Sequence, residues 1–562
     1  YSDGSFRWAL GGKAMTWESD KDGYRSHGSW GAEGDIYIMF FDAKAMTEFF
    51  RDKEGTEIAK MLAGDEKKDE KKDEKKDSVK KVEKIKLDLE GREDRIFRLT
   101  RNSGRIGTHF LTEDGKKLLY IVRLESGYDL CSMDLEDKSV RVLKKGVYGF
   151  VPSPDGKNIY ISTGGGISKM SVNGGESKSI SYAGEYEYKP KAEREYIFDH
   201  MWKQVKEKFY DPDLHGVDWD YYRENYRKFL PYINNDFDFA ELLSEILGEL
   251  NASHTGGRYR YSSGLSFGTL GVLYDSEYDG DGLKIKEVLP DGALSIADSE
   301  IKAGDIITSI EGKKIEAGKD WYQLLTGKAG KKIAITVKKG GKKETELFVT
   351  PGYSDNALLY RRWVKMREAK VKELSGGKIG YVHVQGMDSP SFREVYSKAL
   401  GKYRTADALI VDTRHNGGGW LHDDLVTFLG GKDYVNYQPR GRFIGKDPYS
   451  KWSKPSCVLV CEDNYSDACG FPYAYKALGI GKLIGAPVAG TMTAVWWEYQ
   501  INSSIVFGIP QVGSWCIDEG HYSENHQIEP DILVYNDPAS VLRGEDRQLE
   551  AAVREMLAET TK

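Results

Sequence analysis

Four short segments hold the residue types that acyl transfer requires. Asn464-Tyr465-Ser466-Asp467-Ala468-Cys469 follows the apolar run Cys457-Val458-Leu459-Val460-Cys461 and opens a helical stretch, which sets Ser466 near the positive end of a helix. By residue type alone a serine there is more often an N-cap than a nucleophile. Its hydroxyl becomes reactive at neutral pH only with a base beside it, and that requirement is the test. Asn251-Ala252-Ser253-His254-Thr255-Gly256-Gly257 offers His254 as the candidate base. Glu524, in Ser523-Glu524-Asn525-His526, is the candidate to orient that imidazole through the Ser253 hydroxyl. A histidine beside a loop is ordinarily structural or exposed, and spacing alone does not assemble segments this far apart. The fourth segment, Asp412-Thr413-Arg414-His415-Asn416-Gly417-Gly418-Gly419, lies between a strand and a helix, where its glycines can present unpaired backbone N–H groups to an anion. That anion is a phosphate or the oxyanion of acyl transfer, unless the segment is a plain glycine turn. No Gly-Lys-Ser/Thr completes a nucleotide loop, which weakens the phosphate reading. Cys457, Cys461 and Cys469 raise a thiol enzyme, but alternation puts Cys457 and Cys461 inside a buried strand, where packing accounts for them.

The elements that must position these groups are those of a long chain. At 562 residues it calls for several domains, and 40% hydrophobic with 30% charged residues excludes a membrane-spanning protein. A net charge of −7 gives no general attraction to nucleic acid or anionic lipid. Five cysteines form no disulfide framework, and none has the paired close spacing of a zinc site. The chain opens at Tyr1 without an initiator Met or an apolar signal region, so it is expected to be a piece of something longer.

Residues 1–190 read as all-β. Thr112-Glu113-Asp114-Gly115-Lys116 recurs about forty residues on as Ser153-Pro154-Asp155-Gly156-Lys157, a period suited to propeller blades. A partial β-propeller is expected, with a β-sandwich as the alternative. Three Asp-Glu-Lys-Lys repeats from Asp65 to Lys76 mark a charged, solvated insertion near 65–82. Over 191–262 apolar residues recur at helical spacing, at Ile197, Met201, Val205 and again from Phe239 to Leu250, and this small helical domain carries Ser253-His254. Residues 263–352 resemble a PDZ domain. Gly268-Thr269-Leu270-Gly271-Val272 stands where that family places its carboxylate-binding loop, so Thr269, Leu270 and Gly271 are candidate peptide-binding residues. From 353 to 562 strands alternate with helices, hence an α/β domain with strands buried on both faces.

Taken in this order, domains and motifs resemble the carboxy-terminal half of the tricorn-type peptidases, in the tail-specific (carboxy-terminal-processing) serine peptidase superfamily. The resemblance implies a multidomain fold: partial β-propeller, small helical domain, PDZ domain and crotonase-like α/β catalytic domain. It implies Ser466 as nucleophile, His254 as general base, and Ser253 with Glu524 completing a tetrad. The oxyanion donors map to the backbone N–H groups of Gly418 and Asp467. The implied activity is that of a serine endopeptidase acting on peptides or unfolded polypeptides, with no metal or organic cofactor. The implied assembly is a homo-oligomeric ring, a hexamer. The expected compartment is the cytoplasm, with periplasm or cell envelope after signal-peptide removal as the alternative. Where relatives commonly carry Ser-Asp-Gly followed by an acidic residue, this chain has Ser466-Asp467-Ala468-Cys469, which is expected to change the wall beside the nucleophile. Two rivals remain: a catalytically silent peptide-binding scaffold, and a crotonase-type acyl-CoA enzyme that would leave the PDZ segment unexplained.

Overall fold

A computed structural model describes residues 2–24, 32–66, 87–125, 127–261, 264–295, 300–340 and 343–561. The chain divides into two units, Tyr1–Glu187 and Tyr188–Lys562.

In the first unit, short apolar runs separated by turn residues form three four-stranded antiparallel sheets, each with its strands in sequence order. The first comprises Asp3–Ala9, Ala14–Ser19, Asp35–Phe40 and Ile96–Arg98; the second Ile106–Leu111, Lys117–Leu124, Gly127–Asp134 and Val140–Lys144. The third comprises Val147–Pro152, Asn158–Thr163, Gly166–Ser171 and Lys178–Ile180. The repeated Asp-Gly segment builds the same turn twice. Thr112 Oγ1 donates to Asp114 Oδ1 at 2.6 Å and accepts from the Lys117 N–H at 3.0 Å. Ser153 Oγ repeats this with Asp155 at 2.5 Å and Asn158 at 3.0 Å. Ile38, Phe40, Leu118 and Met133 share one core, and Leu119, Ile121, Phe150 and Ile161 share the next. Successive meanders with shared cores are the blades of a partial β-propeller. The charged insertion expected near 65–82 lies, from residue 67 onward, outside the described residues; Asp65 and Glu66 end a helix, Lys53–Glu66.

The second unit begins with helices Pro190–Lys208, Trp219–Arg227 and Asp236–Gly248, the last started by Asn235, whose side chain accepts from the Asp238 N–H. Their apolar stripes meet in a core of Phe198, Met201, Phe239, Leu243 and Ile246. That core also takes in Ile505, Phe507 and Ile509, from a strand far along the chain, Ile505–Gly513. The PDZ sheet runs in the order Val272–Tyr274, Leu283–Val288, Ile306–Ile310, Ile333–Lys339, Lys343–Val349, so Val272–Tyr274 is an edge strand. In the α/β domain a parallel sheet runs Ile379–His383, Ala408–Asp412, Ser456–Val460, Lys482–Gly485, Ile532–Leu533. Its three first-named strands are wholly buried, as continuous apolar runs covered on both faces must be. Phe392, Leu425 and Phe471 cover one face; Val371, Leu549 and Met556 cover the other.

Candidate active site

Ser466 joins the strand Ser456–Val460 to the helix Asp467–Ala477 with φ 58° and ψ −126°. Such a backbone costs a non-glycine residue on the order of 1–3 kcal/mol and needs surroundings that enforce it. Asn464 supplies them from the preceding turn, its Oδ1 accepting from the Cys461 N–H at 3.2 Å and its Nδ2 donating to Thr413 Oγ1 at 3.0 Å. Thr491 Oγ1 holds the Ser466 N–H at 3.0 Å. Although Ser466 occupies the N-cap position, its side chain makes no capping hydrogen bond. The half-buried hydroxyl has no partner among the described residues, so capping does not explain the serine.

His254 reaches the α/β domain because the chain just after it becomes a strand, Gly257–Tyr259, paired antiparallel with Ile505–Gly513. The Gly508 N–H donates to Gly256 O at 3.1 Å, and a Cβ on Gly508 would run into the His254 carbonyl oxygen. Only glycine lets these backbones approach so closely. Ser253 Oγ lies 2.9 Å from His254 Nδ1 and donates to Glu524 Oε2 at 3.0 Å, while the Ser253 N–H donates to Glu524 Oε1 at 2.5 Å. A hydroxyl that donates to a carboxylate must accept from the ring, so Nδ1 carries the proton and Nε2 the lone pair. Thr493 Oγ1 closes the cluster, 2.9 Å from His254 Nδ1 and 3.0 Å from Ser253 Oγ.

Burial, reinforced by the nearby Arg258 guanidinium, lowers the His254 pKa to about 4, and burial raises that of the Glu524 carboxyl. His254 is therefore neutral at pH 7. Its ring packs 4.7 Å from that of Tyr465, whose hydroxyl accepts from the His254 N–H at 2.6 Å. The imidazole thus rests on the residue beside Ser466. No hydrogen bond joins Ser466 Oγ to His254 Nε2, and neither atom has another partner among the described residues.

The glycine loop after Asp412 touches the loop that carries Ser466. A Cβ on Gly418, φ 98°, would fall 2.5 Å from Ser466 Cβ and 2.7 Å from Tyr465 O. The Asp467 N–H, in the first turn of its helix, has no acceptor among the described residues; the Gly418 N–H donates to Asn416 Oδ1 at 2.8 Å. Of the two expected oxyanion donors, one is open and one is engaged. The Asp467 carboxylate turns inward, accepting from Leu421 N at 2.5 Å and His422 N at 3.1 Å and bonding His422 Nδ1, which raises the His422 pKa. It thereby ties the helix His422–Leu429 to the turn that carries Ser466.

Ala468 and Cys469 are fully buried in the domain core. The departure from the family pattern is absorbed by packing and does not form a wall of the site. All five cysteines are buried, and burial raises the Cys461 and Cys469 thiols to about 12, unsuited to thiolate chemistry at neutral pH. Thr493, Thr491, Asn464 and Tyr465 carry no sequence signal of their own; each matters only through the fold. In the PDZ loop, Gly268 and Thr269 spend their N–H groups on Leu325 O and Gly352 O, both at 2.9 Å. The N–H groups of Leu270 and Gly271 have no acceptor among the described residues.

Residues 190–248 match the tricorn protease C1 domain, 268–352 the tricorn protease PDZ domain, and 378–534 peptidase family S41. Tricorn protease homolog 1 of Streptomyces coelicolor is 28% identical over 508 residues, 84% of this chain and 47% of its own length. Tricorn protease of Thermoplasma volcanium is 27% identical over 447 residues, 77% of this chain and 43% of its own. The chain spans about half the length of the curated relatives it matches. A crystal structure of the tricorn protease shares the fold over 100% of this chain and 55% of that one, with a TM-score of 0.80 at 19% identity. The chain is therefore similar to the tricorn proteases in sequence and fold, with segments that match their C1 and PDZ domains followed by one that matches peptidase family S41.

Proposed function

We propose that the chain is a serine endopeptidase that hydrolyses peptides or unfolded polypeptides through Ser466, His254, Ser253 and Glu524. The observation that carries this reading is the asymmetry around the imidazole. Nδ1 is held by Ser253, itself held by Glu524, while Nε2 and the Ser466 hydroxyl have no partner among the described residues and His254 packs on Tyr465, the neighbour of Ser466. In this mechanism Ser466 Oγ attacks the scissile carbonyl carbon and passes its proton to Nε2. The charge developing on the carbonyl oxygen meets the Asp467 N–H and, once it turns from Asn416, the Gly418 N–H. The imidazolium, costly in a buried site, is supported by the Ser253 hydroxyl and the Glu524 carboxylate. It then protonates the leaving amine, and water enters by the same route to release the acyl group.

The open edge Val272–Tyr274, with the Leu270 and Gly271 N–H groups at its start, suits an extended peptide whose carboxylate meets that loop. The assembly we propose is a homo-oligomeric ring, a hexamer, in the cytoplasm, with neither metal nor organic cofactor in the reaction. No helix of the described residues is long and apolar enough to cross a membrane.

The engaged Gly418 N–H and the missing Ser466–His254 hydrogen bond favour the rival reading, a silent peptide-binding scaffold. A fluorophosphonate probe separates the two. The peptidase reading expects labelling of Ser466 that disappears in Ser466→Ala and in His254→Ala; an unlabelled but peptide-binding wild type establishes the scaffold.

A further inference from the structure

Just ahead of Glu524, a tight hairpin pairs Trp515–Cys516 with His521–Tyr522, setting Cys516 directly opposite His521. Cross-strand partners share one face, which brings the Cys516 and His521 side chains together. Glu519 reaches back from the turn, and ligand atoms of Cys516, Glu519 and His521 all lie within 4.8 Å of one another. A second observation points to what belongs among them. His521 Nδ1 lies 2.8 Å from the Tyr522 carbonyl oxygen and so must donate to it. Nε2 then faces the Glu519 carboxylate, 3.3 Å away. The backbone thus takes Nδ1 and leaves Nε2 as the ring nitrogen turned toward Cys516 and Glu519. A histidine held through its other nitrogen by a backbone carbonyl is also the arrangement metal ligands ordinarily have. The His526 ring, stacked on His521 at 3.8 Å, fixes the plane of that imidazole.

We propose that Cys516, Glu519 and His521 bind a divalent cation of zinc type, with water completing the tetrahedron. Thiolate, imidazole and carboxylate together suit zinc, with bonds of about 2.0–2.3 Å that the present spacing reaches by small side-chain adjustments. Binding releases the Cys516 thiol proton to solvent and leaves the sulfur as a thiolate ligand. The ion is structural: the Ser523 N–H donates to Ser514 O at 2.9 Å across the base of the hairpin, so clamping the hairpin steadies the segment that delivers Glu524. A search for paired cysteines passes over this site, since its ligands are one Cys, one Glu and one His within six residues.

The test is a titration of the reduced, chelator-stripped 562-residue chain with Co²⁺. The expected result is a near-ultraviolet thiolate-to-cobalt charge-transfer band that saturates at a single equivalent and is displaced by Zn²⁺. Cys516→Ser should abolish the band and Cys461→Ser should leave it. Glu519→Gln, at an exposed side chain that folding does not need, and His521→Ala should each weaken Co²⁺ binding by about 10-fold or more. Unchanged circular dichroism of the metal-free variants assigns these losses to the ligands. Absence of saturable Co²⁺ binding by the parent chain overturns the proposal, as does a band that survives both Cys516→Ser and Glu519→Gln. A band lost in Cys461→Ser instead moves the ion to His415, Cys461 and Asp463 and equally overturns it.

Discussion

The second unit holds two clusters of charged and polar groups that differ in how fully they are satisfied. Beneath the glycine loop, the buried Arg414 guanidinium meets Asp412 through Nε at 2.9 Å and Nη2 at 2.7 Å, and Asp546 and Gln548 through Nη1 at 2.9 and 3.1 Å. Tyr381 adds a hydrogen bond to Asp412 at 2.8 Å, and the guanidinium holds the Asp412 carboxyl at a pKa of about 2 despite complete burial. Every charge there has its counter-charge. Around His254 the bonding stops halfway, leaving Nε2, the Ser466 hydroxyl and the Asp467 N–H without a partner among the described residues. A saturated buried network locks one arrangement, whereas groups held firmly on one side and free on the other are prepared to meet something that arrives later.

Substitutions should separate the two clusters by what they damage. The largest effect is expected for Ser466→Ala or His254→Ala, each lowering peptide turnover by about 10⁴- to 10⁶-fold. Their unfolding free energies in urea should stay within about 0.5 kcal/mol of the parent; equal losses of activity and stability would erase the contrast. Asp412→Ala should do the reverse, costing on the order of 3–5 kcal/mol of stability in urea unfolding because it removes one of the two carboxylates that pair a buried guanidinium. Gly418→Ala forces a methyl against Ser466 and the Tyr465 carbonyl at a positive φ and should lower kcat by about 100-fold while also lowering the urea midpoint. Thr493→Val removes one partner of Nδ1 and keeps the volume; a loss of about 10-fold in kcat with KM unchanged would mark it as a positioning residue.

Acid titration sharpens the comparison further. His254 has a folded pKa depressed from 6.5 to about 4, so its neutral form is the one the fold favours. The stability it contributes is complete above the unfolded value and is lost as pH falls from 6.5 towards 4. Asp412, with a folded value of about 2, should give up its contribution only below about pH 4. Urea midpoints across this range, compared with those of His254→Gln, should show the two windows separately. The acid limb of kcat/KM should likewise fall near pH 4. The smallest effect is expected for Arg258→Gln, which removes a like charge and should move that limb upward by a fraction of a pH unit.

Local chemistry made much of this legible. The buried strands read as continuous apolar runs, the Asp-Gly turns read as repeats, and Ser466 stood out because an apolar run stopped one turn before a helix began. What stayed hidden depends on residues that meet only after folding. Nothing near Thr493 announces that it will share Nδ1 of His254, and nothing near Asn416 announces that it will claim the Gly418 N–H. The helical segment looked self-contained, yet its core closes only with Ile505, Phe507 and Ile509.

Residue types and their periodicity alone determined the succession of strand-rich, helical and alternating segments and the short list of groups able to exchange a proton or hold a charge. Which of those groups stand together was decided by tertiary structure. A strand beginning at Gly257 had to find its partner at Phe507, and burial of apolar surface shared by the helices and that partner selects the pairing. Hydrogen-bonding capacity is written residue by residue, but its satisfaction is a property of positions in space.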